Sequence, residues 1–590
     1  MVFDAWLTLA VLFLVFAALI FSSIPADVAL VGGLTLLLLT GVLTTDQALA
    51  GLANEGMVTI GVLYIMVAGL RETGAIAWIS DIVLRPPKNL KDAQIKLMTP
   101  VALFSGFLNN TPIVAMLIPA VNDWAKKHRI SVSKLMMPLS YAAIIGGTCT
   151  LIGTSTNLVV NGLLQESDAQ YSLGMFELAW VGIPCVVVTI IFVVVTSRWL
   201  LKERQPVMSQ FSDAREYTVE MLVAEDSPLI GKSIEEAGLR SLPGMYLIEI
   251  DRKNQTLPAV SPQERLQAHD RLVFVGIIES VVDLQKIRGL TPATDQVFKI
   301  DTPRPERSLT EAVVSNSCPL IGKTIREGRF RTYYDAAIIA VARNGEPLRQ
   351  KIGDIVLQTG DTLLLETHPE FVARQRNSRD FFLVSRLDGY SPPRHDRAFI
   401  ALGILGVLVA TVSFGLLTIL EAAMVTAGLM LITRCTRPSS ARREVDWQVL
   451  IVIAAAFGLG QAMQVSGLAN TMANSLVSLT ADGPWFSLIA IYFVTALLSA
   501  LVTNNAAAVI MFPIAYSTAI TLDVNIIPFA IAIMIAASTS FATPIGYQTN
   551  LMVAGPGGYH FRDFLRMGLP LTFIVGVTAI VLIPLIWPFY

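Results

Sequence analysis

Long apolar runs separated by short polar loops fill both ends of this 590-residue chain, and a mixed, charge-rich segment lies between them. A membrane-crossing helix needs about 20 mostly apolar residues. The candidate crossings are 4–21, 25–43, 57–71, 136–163 and 177–200 in the first part, and 397–415, 417–433, 447–464, 524–553 and 566–588 in the second. Two further apolar stretches, 97–121 and 484–520, carry a polar break at mid-length, Asn109-Asn110-Thr111-Pro112 and Thr503-Asn504-Asn505. Such a break predicts a re-entrant hairpin that enters and leaves on one side. Met1–Trp6 has no basic leader and reads as the start of a crossing.

Composition agrees with lipid as the solvent. The chain is 53% hydrophobic and 15% charged, with a mean hydropathy of +0.60. A soluble protein carries about a quarter of its residues as charged ones. The net charge of −2 excludes a nucleic-acid partner. Cys149, Cys185, Cys318 and Cys435 are scattered and make neither a CxxC pair nor a disulfide framework.

Basic residues fix the orientation, because short cytoplasmic loops are rich in Lys and Arg. With the N-terminus outside, Lys88, Lys91 and Lys96 precede the first hairpin on the inner side. Lys126, Lys127, Arg129 and Lys134 follow it on that same side. The fifth crossing ends inside at Arg198, Lys202 and Arg204, so the insert is cytoplasmic. Arg434, Arg437, Arg442, Arg443, Arg562 and Arg566 also fall inside, and both termini lie outside. The loops near 44–56, 165–175, 465–483 and 521–525 carry acids and no Lys or Arg.

The two membrane parts repeat one another. Thr150-Leu-Ile-Gly153-Thr-Ser-Thr-Asn157 matches Thr543-Pro-Ile-Gly546-Tyr-Gln-Thr-Asn550 at an offset of 393, and Asn110 matches Asn504 one residue further on. Five crossings per repeat are an odd number, so the second repeat is inverted. Inverted repeats with broken helices mark secondary transporters, with the site at the midplane. Backbone freed from helical bonding in the membrane must line a cavity or be buried in protein. Half-helix N-termini there suit an anion, and carbonyls and hydroxyls suit a hard cation. Gly, Ser and Thr in these breaks equally serve close helix packing. The breaks contain no Asp, Glu, Lys, Arg or His. Proton coupling needs a titratable group in the membrane, so a neutral site favours sodium.

At these residues the chain resembles the divalent anion:sodium symporter (DASS) family of the ion-transporter superfamily, across both membrane parts. That family has Ser-Asn-Thr at each hairpin tip. Here Asn109-Asn110-Thr111 and Thr503-Asn504-Asn505 keep the central Asn and change its neighbours. The resemblance implies one Na⁺ held by Asn109, Asn110, Thr150, Gly153 and Asn157, and another by Thr503, Asn504, Thr543, Gly546 and Asn550. It places the anion between the tips, at Asn110, Thr111, Thr154, Ser155, Asn504, Asn505 and Thr549. It also implies a homodimer, an elevator-type mechanism and a bacterial plasma (inner) membrane. Ile145–Asn157 resembles the branch with a soluble insert, which includes sulfate transporters. Sulfate is therefore the first expected substrate, followed by di- and tricarboxylates and then arsenite or other oxyanions.

The insert has its own repeat. Pro228-Leu-Ile-Gly-Lys232-Ser233 recurs as Pro319-Leu-Ile-Gly-Lys323-Thr324 at an offset of 91. Each copy predicts a small α+β unit in the order strand, helix, strand, strand. The pair resembles TrkA-C (RCK-C) domains, which dimerise and in some proteins bind nucleotides such as cyclic di-AMP. Lys232 and Lys323 are candidate phosphate ligands, or else solvated residues of a structural turn.

The expected fold is a polytopic α-helical membrane protein of two inverted repeats, each with five crossings and one re-entrant hairpin. Its parts are membrane repeat 1 (1–203), TrkA-C-like domains at 216–291 and 307–390, and membrane repeat 2 (396–590). No potassium-channel filter (TVGYG), P-loop or nucleophile arrangement occurs in the sequence, which argues against a channel, an ATPase or an enzyme. Sodium is the expected coupling ion, with no organic cofactor. A ligand-gated channel is the alternative of another class.

Overall fold

The computed structural model describes residues 3–21, 24–75, 86–167, 173–204, 397–480, 483–544 and 546–590 of the membrane parts. Between them it describes 218–239, 245–252, 255–258, 263–276, 287–293, 308–315, 317–343 and shorter stretches up to 386. The expected domain limits at 216, 307, 390 and 396 lie outside the described residues. The chain divides into a helical unit, 1–202 with 392–551 and 561–590, and a second unit, 203–391 with 552–560.

In the helical unit the first part forms α1 (Phe3–Phe21), α2 (Ala26–Leu39), α3 (Glu55–Glu72), α4 (Leu90–Ser105), α5 (Asn110–Lys127), α6 (Met136–Gly146), α7 (Ser155–Ser167) and α8 (Ala179–Leu200). The second forms α9 (Ala398–Ser413), α10 (Ile419–Ile432), α11 (Trp447–Val465), α12 (Leu468–Leu479), α13 (Pro484–Leu501), α14 (Asn504–Leu522), α15 (Ile527–Ser538), α16 (Gln548–Gly557) and α17 (Phe561–Ile586). Among the described residues, six helices are long and apolar enough to cross a membrane.

Two solvents explain the pattern. On α8, Trp180, Ile183, Val187, Ile191 and Val195 form an exposed apolar stripe with helical spacing, and Phe573, Val577 and Val581 do the same on α17. Lipid tolerates such faces and water does not. By contrast, α6 is buried at every residue and α15 at every residue after Ile527. A helix apolar all round belongs in the core, and these two lead into the breaks.

As the breaks read from the repeat lead one to expect, the stretches 136–163 and 524–553 are interrupted, at 147–154 and 539–547. Three expectations need correction. The loop expected at 465–483 holds α12, which is amphipathic; it buries Leu468, Ala469, Ala473 and Val477 and has no long apolar run to announce it. Lys134 is not a solvated loop charge but is buried, with its ammonium donating to Ser197 O at 3.1 Å and to Leu201 O. It thus caps the last carbonyls of α8, where a cation is favoured. The third correction concerns the second unit.

There, among the described residues, each copy has five antiparallel strands rather than three. The first copy comprises β1 (Thr218–Val223), β2 (Met245–Arg252), β3 (Gln255–Pro258), β4 (Arg271–Gly276) and β5 (Leu290–Pro292). The second comprises β6 (Ser308–Val314), β7 (Ala336–Arg343), β8 (Glu346–Pro347), β9 (Thr362–Thr367) and β10 (Phe381–Arg386). The sheet orders β3-β2-β4-β1-β5 and β8-β7-β9-β6-β10 are the same topology. A register shift at Leu247/Glu249 recurs at Ile338/Ala340. The extra strands β3, β5, β8 and β10 are short or lie at sheet edges, where an apolar pattern is weakest.

The buried carboxylate of Asp361 receives the Arg343 guanidinium at 2.7 and 2.8 Å, and Asp270 receives Arg252 at 2.8 Å through two nitrogens. Each pair joins the end of one strand to the start of its neighbour. Both Asp side chains are 0% exposed. Removing one partner of a buried pair costs about 3–5 kcal/mol. Arg343→Ala is therefore expected to speed hydrogen exchange across β7 and β9 of the full-length protein by 100-fold or more. Unchanged exchange would remove this pair from the account of the unit's stability.

Candidate functional site: two hairpin tips facing two helix breaks

Each tip and each break opens a helix. Asn109 caps α5 by accepting from Thr111 N at 3.3 Å, and Thr503 caps α14 by accepting from Ala506 N at 3.4 Å. Asn and Thr bond to nearby backbone in this way, which ends one helix and starts the next. α7 and α16 begin directly after the extended stretches that end at Thr154 and Tyr547.

The same bonds fasten both copies. The Ser105 hydroxyl lies 2.6 Å from Ala143 O and against Asn110 Oδ1. Ser499 lies 2.5 Å from Ala537 O and 2.9 Å from Asn504 Oδ1. Asn157 Nδ2 donates to Thr150 O at 2.8 Å and Gly147 O at 3.3 Å. Asn550 Nδ2 donates to Ser540 O at 2.9 Å and Thr543 O at 3.1 Å. Asn157 and Asn550 thus turn their NH₂ groups to the break carbonyls and act as braces. The copies differ beyond the brace. Ser140 donates to Asn550 Oδ1 at 2.7 Å, whereas Asn157 Oδ1 is buried and has no hydrogen-bond partner among the described residues.

Around the first break, oxygens crowd together. The Thr150 hydroxyl donates to Gly106 O. A Cβ on Gly153 would stand 2.5 Å from Gly147 O and 3.0 Å from Gly106 O, and one on Gly147 would stand 2.9 Å from Asn110 Oδ1. Only glycine permits this approach. The result is a set of neutral oxygens, the donor chemistry of a hard monovalent or divalent cation. Around the second break, Ser499 Oγ also lies 2.8 Å from Ser540 Oγ, and Thr543 Oγ1 accepts from Gly546 N at 3.0 Å.

Tips and breaks then cross over between the copies. Asn110 Nδ2 donates to the Tyr547 hydroxyl, and Thr111 donates to Gln548 Oε1 at 3.1 Å. Ser155 and Thr156 both donate to Asn505 Oδ1, at 3.2 and 3.1 Å. These contacts bring the N-termini of α5, α7, α14 and α16 to one place. Each presents unbonded N–H groups and about half a positive charge.

Asn110, Thr111, Thr154, Ser155 and Asn505 therefore lie at the crossing point, with Asn504 beside Ser499. Thr549 does not: it is buried and accepts from Ser140 at 2.9 Å. Thr503 is exposed. Sequence reasoning missed Ser105, Ser499, Tyr547 and Gln548. The repeat held the signal, since its offsets pair Ser105 with Ser499, Thr154 with Tyr547 and Ser155 with Gln548.

In the second unit, Gly231 and Gly322 take φ of 80° and 77°, which favours glycine. Ser233 and Glu236 bond reciprocally at 2.8 and 3.2 Å, and Thr324 and Glu327 both ways at 3.1 Å. Hydrogen bonds from the backbone and then the side chain of Ser233 hold the Glu236 carboxyl below its usual value. The Lys232 and Lys323 backbones close the turns, and their side chains are exposed.

The citrate transporter family profile (CitMHS) matches residues 16–534 and 484–590. A Chlamydomonas reinhardtii protein described as a sulfur deprivation response regulator is 39% identical over 572 residues, covering 94% of this chain and 97% of its own. An uncharacterized transporter of Synechocystis sp. is 31% identical over 596 residues, covering 98% and 97%. Sodium/sulfate cotransporter 1 of C. reinhardtii is 28% identical over 738 residues, covering 90% and 83%. With its apolar helices, its exposed lipid-type faces and these relatives, the chain is a multi-pass membrane transporter rather than an enzyme, and it belongs to the citrate transporter (CitMHS) family.

Proposed function

We propose that the protein is a sodium-coupled symporter of a compact divalent oxyanion, sulfate first. The observation that carries this reading is the convergence of four helix N-termini on neutral hydroxyls and carboxamides, next to oxygen-lined breaks. The N-termini and N–H groups hold the dianion. Na⁺ binds beside it at the oxygen-lined breaks. One Na⁺ is bound through Asn110, Thr150, Gly153 and the carbonyls that Asn157 braces, and the other through Asn504, Thr543, Gly546 and the carbonyls braced by Asn550. The site has no carboxylate to accept the proton of hydrogen phosphate, which favours sulfate among tetrahedral dianions. The names of two relatives, a sodium/sulfate cotransporter and a sulfur deprivation response regulator, support the same substrate.

In this reading the two membrane parts are inverted repeats, and α4–α5 and α13–α14 are re-entrant hairpins whose tips meet the breaks at the midplane. The protein works as a homodimer by elevator-type exchange in a bacterial inner membrane, with both termini outside. A di- or tricarboxylate is the second reading, favoured by the name of the family; arsenite is the third. The test is uptake of labelled sulfate, succinate, citrate and arsenite into proteoliposomes, with and without an inward Na⁺ gradient. Sulfate uptake driven by the gradient supports the proposal. Citrate uptake without sulfate uptake overturns the substrate.

The insert, read as two TrkA-C-like domains (216–291 and 307–390), is cytoplasmic and regulates transport without forming the path. A nucleotide such as cyclic di-AMP is one candidate ligand. Any ligand there acts only through unequal affinity for the transporter's conformations, a coupling of about 1–3 kcal/mol. A chain with 206–394 replaced by a short flexible linker is expected to bind sulfate and Na⁺ with wild-type affinity and to transport at an altered rate. A folded variant that binds no substrate contradicts this division of labour.

A further inference from the structure

Tyr547 breaks the symmetry of the site. Its repeat equivalent is Thr154, and its hydroxyl accepts from Asn110 Nδ2 of the first hairpin tip, so it lies at the crossing point. The second tip meets short side chains, with Ser155 and Thr156 donating to Asn505 Oδ1. The first tip instead meets an aromatic ring and a long carboxamide: Asn110 Nδ2 donates to Tyr547 Oη, and Thr111 to Gln548 Oε1. A phenol ring thus stands where perfect symmetry would leave the space of a second threonine.

We propose that Tyr547 is the residue that sets substrate selectivity, admitting a compact tetrahedral oxyanion and excluding di- and tricarboxylates. The inference rests on the oxyanion reading above and adds the group that enforces it. Two physical effects combine. The ring removes the volume that a second carboxylate would need, and closely packed surroundings do not yield that volume cheaply. The hydroxyl is also oriented: it accepts from Asn110 and so directs its own proton away from that amide. On binding, that proton turns to an oxygen of the anion. A hydrogen bond to a charged acceptor is stronger than one between neutral groups. Substrate specificity then lies in one side chain, and a chain with threonine at both equivalent positions has a wider, more symmetric site.

The test uses the full-length protein in proteoliposomes with labelled sulfate, with unlabelled succinate and citrate as competitors. Wild type is measured first. Sulfate uptake resistant to both competitors shows that the oxyanion reading holds and that the variants test Tyr547 alone; wild-type uptake of citrate in place of sulfate sinks that reading and this proposal together. Y547F is expected to raise the KM for sulfate about tenfold, as for one lost hydrogen bond to a charge, while keeping resistance to the dicarboxylate. Y547T is expected to become sensitive to succinate, with an inhibition constant at least tenfold below that of wild type. Y547L, which removes the ring without a new hydroxyl, is expected to do the same and serves if Y547T fails to fold. Unchanged competitor resistance in either small-residue variant overturns the proposal, because a merely structural role would lower stability without moving the ratio between substrates.

Discussion

Asn110→Ala and Asn504→Ala are each expected to reduce sulfate uptake to background while the protein inserts and stays folded. Asn110 is buried, receives the Ser105 hydroxyl, and donates to Tyr547. Its carboxamide therefore serves two duties at once, with its oxygen facing the carbonyls of the first break and its NH₂ facing the second. Alanine removes both. Asn504 is bonded through its oxygen to Ser499 at 2.9 Å, with Ser540 close by. Losing a buried polar partner costs about 1–3 kcal/mol, or roughly 5- to 150-fold in affinity. Loss at either position also disturbs the cation and the anion together, so uptake falls by more than binding does. Initial uptake rates, with thermal melts as the folding control, check this. Wild-type uptake in either variant would detach the tips from the site.

The second large effect separates the two breaks. Gly153→Ala places a methyl group 2.5 Å from Gly147 O and 2.9 Å from Gly147 Cα, and both of those are backbone atoms. Neither can rotate away, so the two arms of the break must separate, and the oxygens they gather disperse. At the equivalent position, Gly546→Ala meets the Thr543 hydroxyl at 2.8 Å and then nothing nearer than 3.3 Å. A hydroxyl can rotate. Overpacking a rigid site costs about 1–3 kcal/mol or more. Gly153→Ala should lose sodium-dependent uptake altogether, and Gly546→Ala should keep at least a tenth of it. Equal uptake by the two variants would show that the first break is not the tighter one.

Much of this was legible because lipid makes simple demands. Apolar runs mark helices, and a polar interruption within one is costly unless it is used, so Asn109–Thr111 and Thr503–Asn505 stood out. The repeat made the breaks at 150–157 and 543–550 legible in the same way. What remained hidden depended on the third dimension. α12 has the 3.6-residue period of an amphipathic helix but no run of membrane length. Lys134 looks like any loop lysine until α8 brings its last carbonyls to it. The edge strands β3 and β8 are too short to carry a pattern. Tyr547 reads as one more aromatic in an apolar stretch, and only the folded chain puts it against Asn110. Thr549 shows the opposite error: a hydroxyl in the right motif whose helix face points it to Ser140.

Sulfate binding to the purified protein, measured by calorimetry in Na⁺ and in choline at two pH values, tests the central claim most directly. The account places Na⁺ at the oxygen-lined breaks beside the anion, and the breaks contain no Asp, Glu, Lys, Arg or His for a coupling proton to occupy. The account predicts saturable sulfate binding in Na⁺, at least 100-fold weaker binding in choline, and no change in affinity between pH 6 and pH 8. Equal affinity in choline, or binding that follows pH and ignores Na⁺, would contradict it.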